Sequence, residues 1–149
     1  MPVHFFSQNI RFSLKKKSAV KKLILALIKK EREVPGEINF IFCNDAFLLA
    51  LNKKFLKHNT LTDIITFPAS LSPLLGERGP RGEVSADIFI SIQRVKENAK
   101  KFRVPFENEL TRVVIHGTLH LCGYKDKTPK DKKQMTKRED YYLKQNKNS

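Results

Sequence analysis

The sequence has few cysteines, no long apolar run and comparatively few acidic residues. Its two cysteines, Cys43 and Cys122, are too few for a disulfide framework, so a reducing cytoplasm is the expected location. No apolar run approaches the roughly 20 residues that a transmembrane helix needs. The N-terminus has no basic segment followed by an apolar core and a cleavage site. We therefore expect neither membrane insertion nor secretion.

The chain has a large excess of positive charge. Its 29 Lys and Arg residues against 15 Asp and Glu residues give a formal net charge of +14. Nine of the basic residues fall within residues 1–35 and nine within residues 125–149, so both ends are basic. Such an excess suits a polyanion, first of all nucleic acid, because each neutralised phosphate releases counterions. The alternative is a solvated lysine face that only keeps the chain soluble.

The length of 149 residues suits one domain, residues 1–149, with a core of its own. Alternating apolar and polar residues predict strands at 3–6, 37–42, 63–67 and 85–91. Helical spacing and capping signals predict helices at 20–28, 44–55, 92–102, from 105 or 108 to the glycine at 123, and 128–143. Pro35-Gly36 is expected to end the first helix, Pro68 the third strand, and residues 70–82 form a loop. Without a strict βαβ repeat, these elements predict an α+β fold with helices packed on a small mixed four-stranded sheet.

Two histidines near the C-terminal end form the most informative pattern. His116 and His120 lie at i and i+4 on a predicted amphipathic helix, where both imidazoles can bind one metal ion. Gly123 can end that helix, and Asp126 is then placed to return as a third ligand. Two histidines and one carboxylate leave a position for water, whose pKa falls to about 7 on zinc. A chance histidine pair is the alternative, but the chain has only four histidines and an acidic residue follows the pair.

The same pattern argues against one familiar metalloenzyme class. Zinc peptidases carry His-Glu-x-x-His, in which the glutamate is the general base. Here Gly117 occupies that position, so peptide hydrolysis by that route is weakly supported.

Residues 116–124 read His-Gly-Thr-Leu-His-Leu-Cys-Gly-Tyr, which resembles the YbeY signature His-Gly-x-Leu-His-Leu-x-Gly-Tyr-Asp-His. Two further blocks are similar to that family. Residues 51–55 and 62–68 resemble its Leu-Asn-x-x-(Phe/Tyr)-Arg and Thr-Asp-Val-Leu-Ser-Phe-Pro segments, and residues 86–91 resemble its Gly-Asp-Ile strand. The resemblance implies a single-domain α+β metalloprotein that binds one zinc ion and cleaves single-stranded RNA. It also implies work near the ribosome, in maturation of the 3′ end of small-subunit rRNA.

The chain departs from the family pattern at two positions. The third histidine ligand of the family is replaced by Asp126, and a carboxylate loosens the preference for zinc over manganese or iron. The family's arginine after the aromatic residue is replaced by Leu56, so positive charge must come from elsewhere, with Lys57 or His58 next in the chain. We therefore assign His116, His120 and Asp126 to the metal, and His116, His120 and Lys57 to catalysis.

Several further residues admit two interpretations each. Asp63 and Asp87 at strand ends either orient a metal-bound imidazole or make local hydrogen bonds. Cys122 is either a thiolate ligand or, more in keeping with cysteine, a buried packing residue, and Tyr124 is expected to pack after the helix. Arg112 either faces a bound phosphate or is a solvent-exposed or salt-bridged arginine.

Two other functions stay open at this point. One is a non-catalytic ribosome-assembly factor whose metal is structural and therefore has a closed shell of four ligands. The other is a zinc peptide hydrolase, which requires a glutamate near the metal, for which Glu83 and Glu109 are the candidates.

Overall fold

The protein is described here from a computed structural model, in which residues 2–58, 60–69 and 83–147 are described. Its helices and strands follow one another along the chain as β1 (Val3–Ser7), α1 (Lys17–Lys30), β2 (Val34–Cys43), α2 (Asp45–Leu51), β3 (Ile64–Pro68), β4 (Glu83–Ser91), α3 (Ile92–Phe102), α4 (Phe106–Leu121) and α5 (Pro129–Lys147). A π-helical turn, Asn52–Leu56, continues α2. Each predicted element is present, and the predicted loop at residues 70–82 lies outside the described residues.

The strands form one mixed sheet in the order β1-β2-β4-β3. β1 pairs with β2 and β2 with β4 in parallel, whereas β3 pairs with β4 antiparallel. The α+β prediction with a small mixed four-stranded sheet is therefore confirmed.

Apolar side chains cover both faces of this sheet. On one face, α1, α3 and α4 bury residues such as Ile28, Val95 and Val114 against the inner positions of β2 and β4. On the other face, α2 packs through Leu48. α5 lies outside α1 and α4, where Leu143 joins a second apolar cluster. The helix with the two histidines is thus held between the sheet and α5.

A glycine lets α4 come close to the sheet. A Cβ atom on Gly117 would lie 2.8 Å from Cδ1 of Ile64 and 3.3 Å from Cγ2 of Ile88. Because these distances are below ordinary van der Waals contact, a larger residue would push the helix or the isoleucines away. Gly117 therefore brings the two neighbouring histidine turns down to the edge of β3.

Two predicted boundaries were wrong. α1 ends at Lys30, and Pro35-Gly36 belongs to β2, where a Cβ on Gly36 would collide with Oγ of Ser85 at 2.0 Å. The turn that ends the helix lies earlier, at Arg32, whose φ is 64°. Pro68 is the last residue of β3 instead of its terminator, which is tolerated because β3 is an edge strand.

The helix starts agree better with the sequence. Oδ1 of Asn44 accepts a hydrogen bond from the Phe47 amide at 2.8 Å, so Asn44 is the N-cap of α2. Oγ1 of Thr128 accepts from the Asp131 amide at 3.0 Å while Oδ2 of Asp131 accepts from the Thr128 amide at 3.2 Å, a reciprocal cap for α5. Within the described ranges, none of the helices combines the length and the apolar character needed to cross a bilayer.

Candidate metal centre

The last two turns of α4 present the predicted histidine pair. The ring centroids of His116 and His120 lie 4.9 Å apart with an angle of 77° between the planes, so both rings project from one face. α4 ends at Leu121, and Gly123 adopts φ of +100°, a value that L-residues rarely adopt. This turn reverses the chain and carries Asp126 back toward the histidines.

His116, His120 and Asp126 converge as the sequence predicts. Each offers one donor atom, and the three atoms lie within 4.8 Å of one another. Nε2 of His116 lies 3.5 Å from Oδ2 of Asp126. Donors bound about 2.1 Å from one tetrahedral ion are separated by about 3.4 Å. The donor chemistry and the spacing therefore fit a divalent metal ion, and this group can hold one.

The second ring nitrogen of His116 is held by a residue from α5. Nδ1 of His116 lies 2.6 Å from Oε2 of Glu139, whose side chain is only 8% exposed. Nη1 of Arg112 donates to the other Glu139 oxygen at 2.9 Å, and its Nη2 donates to Asp140 at 2.7 Å. A carboxylate on Nδ1 favours the tautomer whose Nε2 lone pair faces the metal position. Of the roles predicted for Arg112, the structure therefore shows the salt-bridged arginine.

Glu139 is absent from the candidates that the sequence suggested. Its signal is a carboxylate on an otherwise apolar helix face, since Met135, Glu139, Tyr142 and Leu143 are all buried on α5. A buried glutamate needs a hydrogen-bonding or charged partner. The sequence does not identify His116 as that partner, because the two residues are 23 positions apart.

The two histidines have opposite pKa shifts. Burial lowers the pKa of His116, but the hydrogen bond and charge of Glu139, with Asp126 and Asp63, outweigh it, and the pKa lies above its ordinary value. The pKa of His120 lies below its ordinary value because burial and the neighbouring His116 both oppose a charge there. His120 consequently offers a lone pair most readily near neutral pH.

The metal-binding group opens into a cleft of about 770 Å³. Leu56, His58, Asp63 and Glu83 are among its walls, whereas Lys57 is not. Among the described residues that line the cleft there is no lysine or arginine. His58 is therefore the nearer of the two proposed sources of positive charge, and the catalytic role of Lys57 stays a prediction.

The two aspartates predicted at strand ends differ in their surroundings. Asp63 lies in the cleft, where burial raises its pKa while His116 lowers it, so it is electrostatically coupled to the ligands. Asp87 lies in the middle of β4, so its predicted place at a strand end was wrong; it is fully buried and accepts a hydrogen bond from Nδ2 of Asn39 on the adjacent strand at 3.1 Å. Of these two aspartates, Asp63 is the one that lines the cleft together with His116, His120 and Asp126.

The residues after the helix have structural contacts. Cys122 packs against both apolar clusters beside α4, and burial raises the pKa of its thiol to about 12, which favours packing over ligation. Tyr124 packs against the second apolar cluster, and its hydroxyl donates to Oε1 of Glu31, the C-cap residue of α1, at 2.7 Å. Glu109, a candidate base for a peptidase, lines a smaller cavity beside His116 together with Asp63.

Comparison with known proteins agrees with this geometry. The family described as Endoribonuclease YbeY matches residues 4–147. Endoribonuclease YbeY of Flavobacterium psychrophilum is 45% identical over 139 residues, which cover 93% of each chain. The Cytophaga hutchinsonii protein of the same name is 41% identical over 95% of this chain and 93% of its own length. The solution structure of TM1509 from Thermotoga maritima superimposes with a TM-score of 0.62 and 28% identity, covering 97% of this chain and 88% of that one. The chain therefore belongs to the endoribonuclease YbeY family.

Proposed function

We propose that this chain, residues 1–149, is one metal-dependent endoribonuclease domain that cleaves single-stranded RNA in maturation of the small-subunit rRNA 3′ end. The observation that carries the proposal is the convergence of His116, His120 and Asp126 in a chain whose relatives are named endoribonucleases. The net charge of +14 supports a polyanionic substrate.

The proposed cofactor is one zinc ion held by His116, His120 and Asp126, and manganese or iron also suits a ligand set with a carboxylate. When bound, such an ion supplies Lewis acidity, which polarises a phosphate oxygen and acidifies water. Glu139 holds the His116 ring in the orientation and tautomer that binding requires. Asp126 adds a negative charge that offsets part of the charge of the cation.

The number of converging groups favours catalysis over a purely structural metal. A structural zinc site is closed by four protein ligands, whereas a catalytic site has three and an open position. Within the part of the chain that the structure describes, the metal group has three members, and it faces a cleft large enough for a nucleotide. This favours the nuclease over the non-catalytic assembly factor. A glutamate near the metal is required for the peptide hydrolase, and the family relationship favours the nuclease over it.

The proposed surroundings of the activity follow from the same features. We propose rRNA within ribosomal subunits as the partner and the cytoplasm as the location, which the two unpaired cysteines support. Lys57, next to the cleft residues Leu56 and His58, is proposed to contribute positive charge toward the substrate phosphate.

The metal assignment can be tested by metal analysis of purified wild type beside His116→Ala, His120→Ala and Asp126→Ala. We expect metal loss in each variant and retention in His4→Ala, a control histidine on β1. Full occupancy in all three variants would refute the site.

The activity can be tested with the same proteins on a labelled single-stranded RNA. Cleavage should need the metal and be lost in the three ligand variants, and Lys57→Ala should slow it. Cleavage that survives the ligand substitutions would refute the mechanism. Binding to ribosomal subunits without any RNA cleavage would favour the assembly factor.

A further inference from the structure

Apolar side chains are exposed beside the cleft. Phe55, Leu56 and Leu61 are 41%, 43% and 53% exposed, and they are three of the six large hydrophobic residues exposed in the described part of the chain. Leu56 lines the cleft directly. We call residues 53–58 together with Leu61 the lip. Single apolar side chains scattered over a protein surface are common and need no explanation. Several of them side by side next to a cleft indicate a surface that contacts a ligand.

The backbone holds the lip in a defined shape. The side chain of Asn52 is buried, and its Nδ2 donates to the carbonyl of Thr60 at 2.9 Å. The amide of His58 donates to the Asn52 carbonyl at 3.1 Å, and Lys57 takes φ of 56° at the turn between them. A π-helical turn is uncommon and is found preferentially at functional sites, whereas the left-handed Lys57 is the C-cap that ends this turn. The lip is thus pre-organised with its side chains directed outward.

The ring of Phe55 is positioned by its neighbours while one part of it stays accessible. Its centroid lies 5.8 Å from that of Phe67, with an angle of 79° between the rings. Nζ of Lys54 lies over the same ring, 5.3 Å from its centroid, and the side chain of Phe55 as a whole is 41% exposed. An accessible aromatic ring with a cation beside it combines the two contacts that unpaired nucleotides use, stacking of the base and neutralisation of the phosphate.

The lip also carries cations, which the described walls of the cleft lack. Lys53, Lys54 and Lys57 are exposed. In the described part of the chain, every salt bridge uses arginine, or a histidine ring nitrogen, as its basic partner, so no described carboxylate holds these three ammonium groups. The cleft walls carry carboxylates and no lysine or arginine among the described residues. The positive charge nearest to the cleft along this part of the chain is therefore that of the lip.

We propose that the lip binds an unpaired nucleotide of the RNA, with a base stacked on Phe55 and the flanking phosphates held by Lys53, Lys54 and Lys57. This inference rests on the proposed nuclease function and deepens it. A base within a duplex is already stacked and paired, so it cannot lie on Phe55 without being unpaired first. The lip consequently gives the chain its preference for single strands.

The test measures RNA binding by the full chain in EDTA, where metal-dependent cleavage is stopped. The probe is a fluorescent oligouridylate of about twelve nucleotides, within the length that one single-strand-binding domain covers. The variants are Phe55→Ala, Phe55→Leu and Phe55→Tyr. The matched control is Phe102→Ala on α3, because Phe102 is 56% exposed and has Lys101 Nζ 6.0 Å from its ring. Phe102 is not among the described residues lining the cleft.

We expect Phe55→Ala to weaken binding about ten-fold, within the range measured for the loss of one stacked base. Phe55→Leu should lose nearly as much because it has no π-face, whereas Phe55→Tyr and Phe102→Ala should bind like wild type. An oligonucleotide with abasic sites should bind wild type and Phe55→Ala equally, since neither complex then contains the stack.

Several results would overturn the proposal. If Phe55→Leu binds the oligonucleotide like wild type, the contact is apolar packing and not stacking. If Phe55→Ala and Phe102→Ala lose the same affinity, the effect of Phe55 is not specific to the lip. Equal affinity of wild type for the oligonucleotide and for its duplex would remove the stacking argument. Equal affinity of all variants for the oligonucleotide would show that Phe55 does not bind RNA, and the apolar lip would then fit a protein partner better.

Folding and activity are scored separately. Thermal unfolding identifies a variant that has lost its fold, and the Phe55→Tyr and Phe55→Leu pair then decides the outcome, because both retain a large side chain against Phe67. A chain that binds through Phe55 but never cleaves RNA refutes the proposed function and leaves the lip standing. A chain that cleaves RNA while its affinity ignores Phe55 refutes the lip alone.

Discussion

Replacing Glu139 by glutamine should weaken metal binding without removing any ligand. Glu139 accepts from Nδ1 of His116 at 2.6 Å and from Arg112 at 2.9 Å, and its side chain is 8% exposed. Glutamine keeps the shape and one acceptor oxygen, but it loses the negative charge that makes Nε2 of His116 a stronger ligand for the metal. Loss of such an outer partner costs about ten- to a hundred-fold in metal affinity, or about 1.4–2.7 kcal/mol.

The assay is a competition titration against a chromogenic chelator at about pH 8, where an unperturbed imidazole is neutral and protons compete little. Asp140→Asn is the matched control. It also removes one carboxylate from Arg112, at 2.7 Å, but Asp140 is 60% exposed on the outside of this network. We expect Asp140→Asn to bind metal within about three-fold of wild type, because exposed ion pairs contribute little.

Two results would refute this reasoning. Metal affinity of Glu139→Gln equal to that of wild type would show that His116 is positioned by α4 alone. Equal losses in Glu139→Gln and Asp140→Asn would show that the charge around Arg112 matters, but not the contact with the imidazole.

Three further predictions concern stability. Ser91 is fully buried, accepts from the Arg94 amide at 3.2 Å and donates to Asp45 at 2.7 Å, so Ser91→Ala should lower the free energy of unfolding by about 1–2 kcal/mol. An unchanged urea midpoint would contradict this. Burial raises the pKa of Glu31, but hydrogen bonds from Tyr142, Arg138 and Tyr124 outweigh it, so the folded pKa lies below the ordinary 4.5. The stabilisation is then present above about pH 4.5 and is lost as the pH falls through the pKa that Glu31 has in the folded state. The difference in free energy of unfolding between wild type and Glu31→Gln should therefore shrink in acid. A difference that stays constant down to about pH 3 would contradict this. Gly123 has open space around its Cα but φ of +100°, so Gly123→Ala should cost about 1 kcal/mol in the same urea titrations, and no cost would show that the turn relaxes.

The sequence predicts the metal group because the relevant information is local. His116 and His120 are one helical turn apart, and Asp126 follows within one short turn, so spacing and a glycine are enough to bring them together. The caps of α2 and α5 are predictable for the same reason, since Asn44 and Thr128 bond to amides three residues ahead. Interactions of this range depend little on the rest of the fold.

The parts that the sequence does not predict depend on tertiary packing. Glu139 reaches His116 only because α5 packs outside α4. Pro68 remains in β3 only because that strand lies at the edge of the sheet. Pro35-Gly36 enters β2 because Gly36 packs against Ser85 on β4. Each outcome is decided by a neighbour distant in the chain, which a periodicity or a turn signal does not identify.

The charge distribution suggests why a basic chain would use a metal ion at its reaction centre. Around His116 lie Asp63, Glu109, Asp126 and Glu139, and Arg112 is the arginine that lines the same small cavity. Burial raises the pKa of Asp63 and of Glu109. The charges of Glu139 and Asp126 raise the pKa of Asp63 further, and those of Asp63 and Glu139 raise the pKa of Glu109, so carboxylates outnumber cations among the described residues of this cavity. A divalent cation on His116, His120 and Asp126 would relieve that repulsion. A lysine at this place would instead form salt bridges with the carboxylates and could not bind a substrate phosphate. The lysines serve phosphates best where carboxylates are absent, as in the lip, whose residues include none.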